Sequence, residues 1–87
     1  MLKITVEEGL PDSSLLRLEG SLAGPWVAEL RRLCKQAMTS RTRLVLHCAD
    51  VSFIDDKGVL LAQSLTKQGV SFANCSPYVA ERLGLKL

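Results

Sequence analysis

Eighty-seven residues suffice for one domain and leave no room for a second, so a single domain over 1–87 is expected. Hydrophobic residues make up 47% of the chain and the formal net charge is +2, enough apolar material for a core and too little charge for general nucleic-acid or membrane electrostatics. The cysteines (Cys34, Cys48 and Cys75) are odd in number and form no C-x-x-C pair, which excludes a zinc site and a disulfide framework.

The first residues, Met1 to Glu8, alternate and carry acids, unlike a signal peptide. No apolar run approaches the roughly 20 residues of a membrane span. A soluble cytoplasmic protein is expected, with its cysteines acting as small core hydrophobes.

Along the chain, Lys3 to Val6 reads as a strand, ended by the turn-forming run Glu8-Gly9-Leu10-Pro11-Asp12. Leu15 to Glu19 reads as a second strand, antiparallel to the first because the connection is short. Gly20 to Gly24 is expected as a loop, and Pro25 suits a first helical position. The helix from Pro25 to about Met38 is expected to bury Trp26, Leu30, Leu33 and Ala37, spaced by three or four, with Glu29, Arg32, Lys35 and Gln36 on the other side. Thr39 to Thr42 ends it.

Arg43 to Cys48 reads as a third strand. Its run Leu44-Val45-Leu46 suits an interior parallel strand covered on both faces. A loop ending in Asp55-Asp56-Lys57-Gly58 leads into a second helix, from Lys57 to about Gln68. Gly58, Leu61, Ala62 and Leu65 share one face of that helix, and Gly69 stands past its end. Val70 to Ala73 is a short fourth strand. Ser76 caps a last helix with Pro77 in its first turn, running through Val79, Ala80 and Leu83 to Gly84. The order is β-β-α-β-α-β-α, with right-handed crossovers between parallel strands.

This order and several local strings resemble the STAS domain, the family of anti-sigma factor antagonists and of sulfate-transporter cytoplasmic domains. The strings are Leu16-Arg17-Leu18-Glu19-Gly20-Ser21-Leu22, then Leu44 to Asp55, then Gly69 to Pro77 with Leu83-Gly84-Leu85. The resemblance spans essentially the whole chain. It implies an α/β fold with a four-stranded, mostly parallel sheet, an antiparallel N-terminal strand and about three helices.

Antagonists switched by phosphorylation usually read Asp-Ser-Ser-Gly or Asp-Ser-Thr-Gly at the junction before the second helix, and the first hydroxyl receives the phosphate. Here the aligned residues are Asp55-Asp56-Lys57-Gly58. Asp56 stands at the phosphoacceptor position and Lys57 replaces the second hydroxyl, so the resemblance implies no phosphorylation at the motif. The acid that often follows the Gly-x-Leu string is also absent, being Ala23.

The residues themselves leave several roles open. Asp55 as N-cap, with Asp56 favoured by the helix dipole, accounts for both acids without chemistry; a partner contact, an acid/base pair or a metal site are the alternatives. No second cluster of His, Glu or Asp supports a metal centre, His47 is expected at a strand end, and no constellation supports an enzyme. Arg31, Arg32, Lys35, Arg41 and Arg43 crowd one region against Glu29 alone, as a solvated helix face or a patch for an acidic protein or anionic lipid.

With Leu61 inward, Lys57, Leu60 and Ser64 fall on the outer face of the second helix, beside the motif. The expected docking residues are therefore Asp55, Asp56, Lys57, Gly58, Leu60 and Ser64. The resulting expectation is a non-enzymatic regulatory module that binds a protein partner and needs no cofactor. The resemblance implies that this partner is an anti-sigma factor of the ATPase-kinase type, or a component of a lipid ABC transporter that the chain serves as a soluble subunit. The competing reading is a small-ligand module for a nucleotide or other anion at a helix N-terminus, which two carboxylates at that site disfavour.

Overall fold

The structure, a computed structural model, describes residues 1–8, 13–38 and 43–84. Strand β1 (Leu2–Glu8) lies antiparallel to β2 (Ser13–Leu22), with Leu2 opposite Gly20, Ile4 opposite Leu18 and Val6 opposite Leu16. Helix α1 (Pro25–Met38), strand β3 (Arg43–Ile54), helix α2 (Asp56–Lys67), strand β4 (Ser71–Ala73) and helix α3 (Pro77–Leu83) follow. The sheet order is β1-β2-β3-β4, and the β2–β3 and β3–β4 pairs are parallel. Each parallel pair is joined through one helix, the crossover that parallel strands require. The turn expected before Ser13 and the end of the first helix fall on residues 9–12 and 39–42, outside the described ones, as does Arg41.

Strands β2 and β3 are longer than expected. β2 continues through Gly20 to Leu22, where a loop was expected, and β3 continues past Cys48 through Ala49 to Ile54. At Gly20 (φ +107°) the Met1 carbonyl oxygen lies where a side chain would begin, while the Ser21 N–H donates to that same oxygen at 2.9 Å. A glycine is what lets the strand pass the N-terminus there.

One face of the sheet carries the core. Leu16, Leu18 and Leu22 of β2 and Leu44, Leu46, Cys48, Val51 and Ile54 of β3 are buried in one cluster with Val27, Leu30, Leu61, Leu65 and Val79 from the helices. Each fully buried leucine of this kind contributes about 2 kcal/mol. On the opposite face Leu15 pairs with Val45 and Arg17 with His47, and all four are only half-buried. β3 is therefore covered on one face, contrary to expectation. Its apolar run arises because Leu44 and Leu46 point inward while Val45 lies beside Leu15 on the open face.

His47 also sits within the strand instead of at its end, with Nδ1 buried and without a hydrogen-bond partner. Beside it on that face, the Arg17 Nε lies 3.1 Å from Glu7 Oε1.

In α1 the buried stripe is Val27, Leu30 and Cys34. Of the expected stripe only Leu30 is buried; Trp26, Leu33 and Ala37 flank the core, half-buried. The C-terminal elements match expectation closely. The Ser76 hydroxyl accepts from the Val79 N–H at 3.2 Å, and Gly84 ends α3 in the left-handed region.

Candidate functional site

The β3–α2 junction is held together by one carboxylate. Asp55 is the N-cap of α2: its Oδ1 accepts from the Gly58 N–H at 2.7 Å. Its Oδ2 accepts from the Gly24 N–H at 2.9 Å, which ties the β2–α1 connection to the start of α2. These two bonds, Gly24's first, hold the Asp55 carboxyl below its ordinary pKa. In the backbone, Asp55 N–H donates to the Leu22 carbonyl at 3.2 Å, so the two loops are joined twice.

Gly58 lies inside this junction, buried against Leu22 and Ile54. A Cβ there would stand 2.6 Å from the Leu22 carbonyl oxygen and 2.8 Å from Ile54 Cγ2. Its role is therefore close packing of α2 on β2, and it presents no side chain outward.

The other motif residues face solvent. The Asp56 side chain is 98% exposed, with Oδ1 3.1 Å from Arg82 Nη2. Arg82 also donates to the Ile54 carbonyl at 3.1 Å, and the Tyr78 hydroxyl stands 3.5 Å from the Ile54 N–H, so α3 lies against the junction from the other side. Lys57 is exposed, Leu60 is 66% exposed and its neighbour Leu61 only 3%. Ser64 lies on the same outer face, its hydroxyl accepting from Gln68 Nε2 at 3.1 Å. The structure thus brings Asp55, Asp56, Lys57, Leu60 and Ser64 onto one end and outer side of α2.

Sequence reading alone missed four neighbours of this surface. Phe53 and Tyr78 are large and exposed beside the motif, Arg82 pairs with Asp56, and Gly24 supplies the second N–H to Asp55. Only Phe53 carried a signal, an aromatic residue two positions before the motif. The basic cluster is divided: Arg32 pairs with Glu29 within α1, while Arg31 and Lys35 form no salt bridge among the described residues. Among those residues no group of three or more His, Cys, Asp or Glu could hold a metal ion. No helix among them is long and apolar enough to cross a membrane.

A solved structure, that of the anti-sigma factor antagonist SpoIIAA in its unphosphorylated form, matches this chain with a TM-score of 0.75. The match covers 94% of this chain and 78% of that one, at 20% sequence identity. The fold is that of the STAS domain. No family model matches the sequence, and no curated protein does. Asp55, Asp56, Lys57 and Gly58 stand at the β3–α2 junction of this fold.

Proposed function

We propose that this chain is a non-enzymatic regulatory module of the anti-sigma factor antagonist kind, acting in the bacterial cytoplasm by binding a protein partner. Docking runs through the outer edge of the junction and α2: Asp55, Asp56 and Lys57, with Leu60 and Ser64, while Gly58 keeps the helix seated. The observation that carries the reading is Leu60, 66% exposed at the second turn of α2 next to the motif, while Leu61 beside it is buried. Lying mostly outside the core, this leucine is free to contact a partner. The likeness to SpoIIAA supports a regulatory role.

Asp56 makes this a module without the standard serine switch. Its carboxylate supplies one negative charge and two acceptor oxygens, against roughly −1.5 to −2 and three for a phosphoserine. No phosphate is expected on residues 55–58 after incubation with a partner kinase, as read by intact mass and peptide mapping; phosphate there contradicts the reading. The small-ligand alternative is weakened because Asp55 already occupies the Gly58 and Gly24 N–H groups that an anion at this helix start would use.

Affinity purification from the native cell, with wild-type chain and Leu60→Asp as paired baits, tests the proposal. A partner recovered with the wild type and lost with Leu60→Asp is the expected result; equal recovery overturns it. An ATPase-kinase partner selects the antagonist role, and lipid ABC transporter subunits select the transport role.

A further inference from the structure

Between α1 and α2 lie two adjoining depressions that share Arg31. The first, of about 550 Å³, is lined by Gly24, Pro25, Val27, Ala28, Arg31, Lys57 and Leu60. The second continues along the same two helices past Lys35, Met38, Ser64 and Gln68. On α1 the lining positions Ala28, Arg31, Lys35 and Met38 recur every three or four residues, and on α2 so do Lys57, Leu60 and Ser64, continued by its C-cap Gln68. Two such stripes edge one trough about 15 Å long, which is close to three turns of a helix.

The charge along this trough has one sign. Among the described residues, Arg31, Lys35 and Lys57 are exposed and form no salt bridge, and no Asp or Glu lines either depression. Of the nearby acids, Glu29 pairs with Arg32 and Asp56 with Arg82, while Asp55, held by two backbone N–H groups, also attracts Lys57. Leu60 and Met38 supply apolar contact near the two ends.

We infer that the occupant of this trough is an acidic amphipathic helix of the protein partner, its carboxylates along Arg31, Lys35 and Lys57 and its apolar residues against Leu60 and Met38. The inference rests on the docking surface proposed above and names the chemistry of what docks there. A helix laid in a groove is read by an apolar stripe, and complementary charge fixes its register. A flat anionic membrane would need these cations on a convex face, whereas they line a concavity. A net charge of +2 is small for a nucleic-acid surface.

The test uses the isotope-labelled full chain and a designed helical peptide of about 14 residues with glutamates on one side of a leucine stripe. Addition of the peptide is expected to shift the amide resonances of Arg31, Lys35, Lys57 and Leu60. Its affinity should fall several-fold between about 50 and 300 mM salt. The double variant Arg31→Glu/Lys35→Glu, shown folded by circular dichroism, should bind at least about tenfold more weakly, since two attractions become repulsions.

Equal binding of a lysine-for-glutamate peptide, or shifts confined to another face, overturns the inference. So does perturbation of these resonances by phosphatidylserine vesicles and not by the peptide, or by raising the concentration of the chain alone. Loss of the native partner with Leu60→Asp but full retention with Arg31→Glu/Lys35→Glu sinks this inference and leaves the proposed function standing. Retention with Leu60→Asp sinks the proposed function itself.

Discussion

At the scale of single residues, Asp55 joins two loops with one carboxylate. Two N–H donors lower its folded pKa, so its contribution is fully present above the unfolded value near 4. It is lost as pH falls through the lower folded value. Asp55→Asn turns an amide donor toward one of the two N–H groups and should melt below the wild type at pH 7. The gap should close below about pH 4. Thermal melts by circular dichroism at both pH values check this, and a gap of constant size would contradict it.

Gly58→Ala opposes two effects. Helix propensity alone gives alanine an advantage of about 1 kcal/mol. The new methyl, however, meets the Leu22 carbonyl oxygen at 2.6 Å, and overpacking of this kind costs about 1–3 kcal/mol. Because the clash is partly with backbone, a net loss of stability in urea titration is expected; a gain would show that α2 can shift away from β2 freely. The cap was legible because an aspartate preceding an apolar helical stripe is a local signal. The Gly24 bond was not, since its partner is 31 positions away.

At the scale of elements, α2 offers adjacent leucines with opposite expectations. Leu61→Asp places a carboxylate in the core and should cost at least about 3 kcal/mol, enough to unfold much of a domain this small. Leu60→Asp is exposed and should stay within about 0.5 kcal/mol of wild type. Denaturant titrations of the two variants separate them; similar losses would mean that the face assignment is wrong.

This face was readable because Gly58, Leu61, Ala62 and Leu65 have no apolar rivals one residue over except Val59 and Leu60. In α1 the same reasoning failed. Trp26, Leu30, Leu33 and Ala37 form one apolar stripe, and Val27, Leu30 and Cys34 form another turned by one residue. Periodicity cannot choose between them; packing against the sheet does.

β3 shows a different reason for failure. Two register shifts against β2 each insert one extra β3 residue. Its buried positions therefore run Leu44, Leu46, Cys48, then Val51 and Ile54, and the alternation by two gives way to spacing by three. A strand with two bulges reads as a loop when alternation is the only signal.

At the scale of the whole molecule, element order, strand directions and the ends of α2 and α3 were legible, because glycine, proline and serine punctuation marks them locally. That the helices lie on one side of the sheet was not, since an apolar run such as Leu44-Val45-Leu46 is compatible with one or two covered faces. The cysteines follow from that core. Burial pushes Cys34 up to about 11 and Cys48, also raised by neighbouring Cys75, to about 12. Cys75 is half-buried. Brief alkylation of the native protein at neutral pH should therefore label Cys75 first and leave Cys34 and Cys48 until denaturant is added, as read by peptide mapping. Early labelling of Cys34 would contradict the placement of α1.

The claim that a protein partner docks on the outer side of α2 is tested most directly by calorimetric titration of the recovered partner into wild-type chain and into folded Leu60→Asp. Loss of a central apolar anchor is worth about 2 kcal/mol, so binding should weaken by roughly 30-fold. Unchanged affinity in a folded Leu60→Asp protein would contradict the account and place the interface elsewhere.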